Sequence, residues 1–235
     1  NGSTGDDDVT YTIQQALGFS TIDLGTGTDN SRVQVSGAVD VTASGTPTVL
    51  NAEHGYVTGS AGADTLTITG VQLDALIFGS GTIDFAGGAD TLSITSTSAD
   101  LNTLGSTLNA SIQNLETISA ITAAAAVTIN MSAQTEAFTI IGSGSNDIIT
   151  GGTGNDTITG GNGNDIINGG NGTNILYGNV GDDTITGGTG NDTIYALDAT
   201  VNTIGTSLNV IVSALVEEHF GSNTGIFSYS DGGFG

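Results

Sequence analysis

An all-β fold of stacked parallel coils is what this sequence predicts, and three observations carry the prediction. From Gly142 the chain reads GSGSNDIIT, GGTGNDTIT, GGNGNDIIN, GGNGTNILY, GNVGDDTIT and GGTGNDTIY, six nine-residue units that close without a gap at Tyr195. The composition, 38 glycines and a single proline (Pro47) in 235 residues with abundant Thr, Ile and Val, suits many short strands joined by glycine turns. Upstream, "GADTLTIT" (62–69) returns as "GADTLSIT" (88–95), so the same loop recurs on a longer period. The whole reads as a continuous or nearly continuous right-handed β-solenoid, with irregular coils over 1–141, regular nonapeptides over 142–195 and a cap or the start of a further β domain over 196–235.

The irregular part carries its own echoes. "NLETISAI" (114–121) follows "GADTLSIT" after the interval that separates the first two copies, which stacks Asp64, Asp90 and Glu116 on one edge of a wide coil. "IDLGTGTD" (22–29) resembles "IDFAGGAD" (83–90) and brings in Asp29. "GSTGDDDVT" (2–10) resembles "GSAGADTLT" (59–67), with Asp7 and Asp64 at equivalent places, although Asp6 to Asp8 also read as a simple acidic loop.

In the nonapeptides, position one is always Gly and position four is Gly except at Ser145. Position six is Asp147, Asp156, Asp165, Asp183 and Asp192, with Asn174 in the remaining unit. Position eight is always a large aliphatic: Ile149, Ile158, Ile167, Leu176, Ile185 and Ile194. Glycines at positions one, two and four are expected to turn the backbone through φ > 0. The last three residues form a minimal strand whose inward side chain is position eight. Each unit is then half a coil, so units two apart stack on one edge.

After the last unit some element must cover the open solenoid end. "SLNVIVSALVEEHF" (207–220) is the candidate, as a strand or a short helix, and "NTIGTSLN" (202–209) echoes "NTLGSTLN" (102–109). The final "GSNTGIFSYSDGGFG" reads as an interrupted strand pair.

Charge narrows the function. With 24 acidic residues against one basic residue, Arg32, the net charge is −23, a field that repels nucleic acid and anionic membrane surfaces. So many carboxylates need positive charge from elsewhere, and the available ligands are hard oxygens, which favour calcium over zinc or copper. There is no cysteine, hence neither a disulfide frame nor a thiolate site. No apolar run is long enough for a spanning helix, so membrane insertion is not expected. The start at Asn1 without Met predicts a fragment or a processed product.

The tandem glycine-aspartate units resemble the RTX family, whose nonapeptide G-G-x-G-x-D-x-U-x forms a calcium-binding parallel β-roll. The resemblance implies multiple Ca2+ ions between stacked loops, held by position-six carboxylates and loop carbonyls. One edge would carry Asp147, Asp165 and Asp183, the other Asp156, Asn174 and Asp192, with weaker binding at the two places that share Asn174. Asp7, Asp29, Asp64 and Asp90 are further candidate ligands in the irregular coils. One buried aliphatic per nine residues offsets too little backbone entropy by itself, so the segment should be unfolded without calcium. The family also implies export through a type I secretion system, folding outside the cell and residence at a bacterial surface.

No catalytic constellation accompanies the repeats. His54 in "NAEHGY" and His219 in "VEEHFG" lack partner spacing, and neither a zinc helix nor a nucleophile elbow occurs. The expectation is therefore a non-enzymatic, calcium-binding structural or assembly module of an adhesin, surface layer or extracellular filament, with self-association into a lattice or filament as a further partner reading. The alternatives are the secretion and folding domain of an exported RTX protease or lipase, and a calcium-dependent ice-binding module. For ice, the array would be Thr153/Asn155, Asn171/Thr173 and Thr189/Asn191, with its middle rung inverted.

Overall fold

A computed structural model describes residues 8–12, 21–23, 30–34, 38–40, 48–50, 54–77, 82–99, 101 and 112–195. The expectations for Asp7, Asp29, His219 and the 196–235 cap fall outside these residues. By internal packing the chain divides into two compact units, residues 1–118 and 119–235. The strands are short and their pairing is parallel throughout the described residues. The fold is a parallel β-roll of the solenoid class.

In the first unit the strands are β1 (Asp8–Thr12), β2 (Thr21–Asp23), β3 (Asn30–Gln34), β4 (Ala38–Asp40), β5 (Thr48–Leu50), β6 (His54–Thr58), β7 (Thr65–Ile68), β8 (Thr82–Asp84), β9 (Thr91–Ile94) and β10 (Ile112–Gln113). One sheet runs β1-β3-β6-β8-β10, while β4, β7 and β9 are successive neighbours in another and β2 pairs with β5. The coil lengthens along the first sheet. Asp8 pairs with Asn30, Asn30 with His54, Tyr56 with Thr82 and Ile83 with Ile112, intervals of 22, 24, 26 and 29 residues. One echo does not become a strand pairing: β1, which follows Asp7, lies in the β8 sheet, whereas β7, which follows Asp64, pairs with β4 and β9. Sequence likeness ahead of a strand therefore does not assign that strand to a sheet.

A helix, α1 (Gly70–Ile77), sits between β7 and β8. Thr69 caps it, because Gln72 N–H donates to Thr69 Oγ1 at 3.2 Å and Thr69 N–H to Gln72 Oε1 at 2.9 Å. This is a reciprocal capping box, legible afterwards in "TGVQ" but hidden by the strand-like glycine and threonine around it. Asp74 then receives hydrogen bonds from Ser98 Oγ and Ala99 N–H, joining the insert to the next coil.

In the second unit two sheets alternate. One runs β12 (Thr128–Asn130), β14 (Ile148–Thr150), β16 (Ile166–Asn168), β18 (Thr184–Thr186), and the other β13 (Thr139–Ile141), β15 (Thr157–Asn162), β17 (Ile175–Val180), β19 (Thr193–Tyr195). β11 (Thr117–Ser119) lies at the division between the units. Ile149 pairs with Ile167 and Ile158 with Leu176, an interval of 18 residues, so two nonapeptides make one coil. The same stacking begins upstream of Gly142, since Thr128 pairs with Ile148 and Thr139 with Thr157. In those two coils the residue before the strand is apolar and buried: Val127 and Phe138. Every position-eight side chain is buried, and positions seven and nine face outward. Outward stacking also pairs Tyr177 with Tyr195, ring centroids 4.7 Å apart and 6° from parallel.

Candidate metal centre

The edges of the coils are built by position six. Asp165 Oδ1 accepts the backbone N–H of Asp147, and Asp183 Oδ1 that of Asp165, each at 2.8 Å. On the opposite edge Asn174 Oδ1 accepts from Asp156 N–H and Asp192 Oδ1 from Asn174 N–H, each at 2.9 Å. Asp147 and Asp156 reach back in the same way to Val127 N–H (2.7 Å) and Phe138 N–H (2.8 Å). In the wider coils Asp64 N–H donates to Asp90 Oδ1 at 2.7 Å and Asp90 N–H to Glu116 Oε2 at 2.8 Å. Asp64, Asp90 and Glu116 thus stack on one edge.

Position-one glycine is needed for a reason the sequence reading did not find. No position-one glycine adopts positive φ; positive values fall at positions two and four, as at Gly161 (121°) and Gly163 (112°). A Cβ at position one would meet both the next coil's backbone and the carboxylate of its own unit: at Gly142 it would stand 2.1 Å from Gly160 O and 2.6 Å from Asp147 Oδ2, and at Gly151 2.5 Å from Gly169 O and 2.6 Å from Asp156 Oδ2. The carboxylate folds back over the start of its loop, and only a missing side chain leaves the room.

The second carboxylate oxygen sorts the loops into two kinds. In three of them the position-two N–H closes onto it: Ser60 onto Asp64 Oδ2 at 2.5 Å, Ser143 onto Asp147 Oδ2 at 2.5 Å and Gly152 onto Asp156 Oδ2 at 2.8 Å. In four others Oδ2 of Asp90, Asp165, Asp183 and Asp192 is buried with no hydrogen-bond partner. Their position-two residues, Ala86, Gly161, Asn179 and Gly188, all have positive φ, from 67° to 121°. Gly170, in the Asn174 loop, does too (88°), and there the side-chain Nδ2 donates to Asn171 O at 3.3 Å and to Gly187 O at 3.5 Å. A turned-over peptide at position two therefore accompanies every open oxygen. The identity of the residue does not decide it, because glycine occurs in both kinds. In the second unit the closed loops are those whose upstream neighbour on the edge carries no carboxylate or amide, namely Val127 and Phe138.

Burial raises the pKa of three of these carboxylates. Asp165 is pushed up to about 6, first by desolvation and then by the negative charges of Asp183 and Asp147. Asp156 is raised by desolvation, and Asp183 by desolvation with Asp182 adding repulsion. Buried carboxylate oxygens without a donor are expensive. The segment 54–99 and the run 112–195 contain no Lys or Arg, so no ammonium or guanidinium within them meets the open oxygens.

Residues 141–176 and 169–198 match the family model of the RTX calcium-binding nonapeptide repeat, four copies in all. This segment carries RTX repeats. No curated protein matches the chain. Repeats of this kind are calcium-binding, and the RTX edges described above fit such a cation: they offer buried, donor-free oxygens, hard ligands only, and glycine carbonyls facing the loop above. One such approach is Gly170 over Gly152 O, where a Cβ could not fit. Among the described residues no three carboxylate, histidine or cysteine side chains converge on one point. A cation at an RTX edge would draw on backbone carbonyls or water as well as carboxylates, which suits one taking many oxygen ligands.

The remaining sequence expectations resolve as follows. Asp147, Asp165 and Asp183 share one edge, and Asp156, Asn174 and Asp192 the other. The Thr and Asn array is exposed, but it is bonded rung to rung: Thr189 Oγ1 to Asn171 Oδ1, Thr173 N–H to Asn155 Oδ1 at 2.8 Å. No helix among the described residues is long and apolar enough to cross a membrane.

Proposed function

We propose that this chain is a non-enzymatic structural module of a secreted bacterial surface protein, of adhesin, surface-layer or filament type, that folds when calcium becomes available outside the cell. The observation that carries the reading is the pair of stacked acidic edges over 142–195, with Asp165, Asp183 and Asp192 each keeping a buried oxygen open. We assign Asp147, Asp165 and Asp183 to one row of calcium ligands and Asp156, Asn174 and Asp192 to the other. A calcium ion there supplies the positive charge that the open oxygens lack. Without it, aligned buried carboxylates repel one another and the coils lose their reason to stack. Coupling of this kind keeps the chain unfolded where calcium is scarce and ordered where it is plentiful, which is what passage through an export channel requires. The outward faces of the roll, rather than a pocket, are then the working surface.

The test is a calcium titration followed by circular dichroism and ion counting, with Asp165→Ala alongside. A cooperative gain of β signal, with fewer ions retained by the variant, supports the reading. A chain fully folded in chelator and indifferent to calcium would sink it.

A further inference from the structure

We propose that a hard divalent cation of the calcium class is held between the loops 59–64 and 85–90, by the open carboxylate oxygen of Asp90 together with loop carbonyls, well outside the residues that match the RTX repeat. The two loops stack with an interval of 26 residues: β7 pairs with β9 from Thr65↔Thr91 to Ile68↔Ile94, and Asp64 N–H donates to Asp90 Oδ1. Asp90 is 0% exposed, and its Oδ2 is buried with no hydrogen-bond partner. The same carboxylate therefore has one oxygen engaged by the layer below and one left over.

The reason it is left over lies in Ala86. In the loop below, the position-two N–H of Ser60 closes onto Asp64 Oδ2. Ala86 instead holds φ at 67°, unusual for a residue with a Cβ, and its N–H turns to Asp84 Oδ1 at 2.9 Å. That is the open geometry of Asp165, Asp183 and Asp192, reached here with alanine rather than glycine or asparagine. Gly88 adds a cradle, because a Cβ there would stand 2.6 Å from the carbonyl oxygen of Gly62. The donors are all oxygens, and the segment 54–99 supplies no Lys or Arg to substitute for a metal. Glu116 continues the ladder on the far side through Asp90 N–H.

The proposal rests on the calcium reading above, and the experiment separates the two. Bound calcium is counted by equilibrium dialysis on the full chain, on Asp90→Asn and on Asp165→Asn. An ion lost from Asp90→Asn, with the nonapeptide ions retained, is the expected result. Wild-type stoichiometry in Asp90→Asn while Asp165→Asn loses ions overturns this site and leaves the RTX reading intact; a wild-type chain that binds none overturns both. Should Asp90→Asn fail to fold, Mn2+ added to the wild-type chain decides. Paramagnetic broadening of the amide signals of residues 60–64 and 86–90 supports the site. Sharp signals there, with broadening confined to 161–165 and 179–183, overturn it.

Discussion

The wide coils before residue 118 and the nonapeptide coils after Gly142 use one edge device in two settings. Both pass a backbone N–H of position six to the carboxylate, or in one case the amide, of the next coil, at an interval of 26 residues in the first and 18 in the second. They differ in what fills the inside. From Leu66 to the residue before Leu92, a stretch of 26, the described residues bury Leu66, Ile68, Leu73, Ile83 and Phe85, whereas the 18 residues from Ile149 to Ile166 bury Ile149 and Ile158 as their large apolar side chains. The difference teaches that strict repetition is not needed to stack these loops. What tandem regularity supplies is two closely spaced edges on which Asp165, Asp183 and Asp192 keep open oxygens, at the expense of core.

The largest effect expected from this contrast is on removing calcium. With less apolar burial per residue and more open carboxylates, amides of 148–195 should lose hydrogen-exchange protection in chelator, while those of β7 and β9 keep much of theirs. Equal loss in both regions would erase the contrast.

Glycine substitutions sharpen it. Gly151→Ala places a Cβ 2.5 Å from Gly169 O and 2.6 Å from Asp156 Oδ2, and overpacking of this kind costs about 1–3 kcal/mol. Gly144→Ala meets nothing within 4 Å and has no positive φ, so it should leave stability unchanged or raise it by about 0.4–1 kcal/mol. Thermal melts in calcium compare the two directly.

Acidity should act with opposite sign in the presence and absence of metal. Asp165 titrates near 6 in the fold, above the usual carboxylate value of 3.8, so the metal-free fold binds a proton that the unfolded chain releases. Its stability is highest below the ordinary value and is lost as pH rises through about 6; Asp156 and Asp183 push the same way. In chelator, lowering the pH from 7 towards 5 should therefore recover β signal. In calcium the same change should weaken binding, because the ligands must be ionised. Parallel pH series by circular dichroism check both signs.

The smallest effect is expected on the outer face. Ile148 and Ile166 are 46% and 51% exposed at position seven of neighbouring strands, in a row that continues to Thr184. Ile166→Thr should shift stability by no more than about 0.5 kcal/mol, against a loss of about 2–5 kcal/mol for Ile167→Ala one residue on. The same melts read both.

How much of this was legible beforehand depends on the kind of rule involved. Parallel pairing, the 18-residue coil, the buried position eight and the membership of each edge follow from period alone, because a fixed period puts equivalent residues on top of one another whatever the details of the turn. The stacking of Asp64, Asp90 and Glu116 followed from a repeat of three short segments for the same reason. The capping box at Thr69 and Gln72 was missed, since glycine and threonine around it mimic the turn and strand composition of the rest. The likeness of "GSTGDDDVT" to "GSAGADTLT" did not carry over into strand pairing, since β1 lies in the β8 sheet while β7 pairs with β4 and β9.

Taken by itself, the sequence determined the coil, its apolar inside and its acidic edges, since these depend on spacing and residue type. The tertiary structure alone decided which carboxylates are open. Closure depends on whether one peptide at position two points its N–H inward, and glycine allows both orientations at Gly152 and Gly161 alike. It also decided why position one must be glycine, because the obstacles are the backbone carbonyl of the next coil and the position-six side chain folded back from five residues later, neither of them local to the turn.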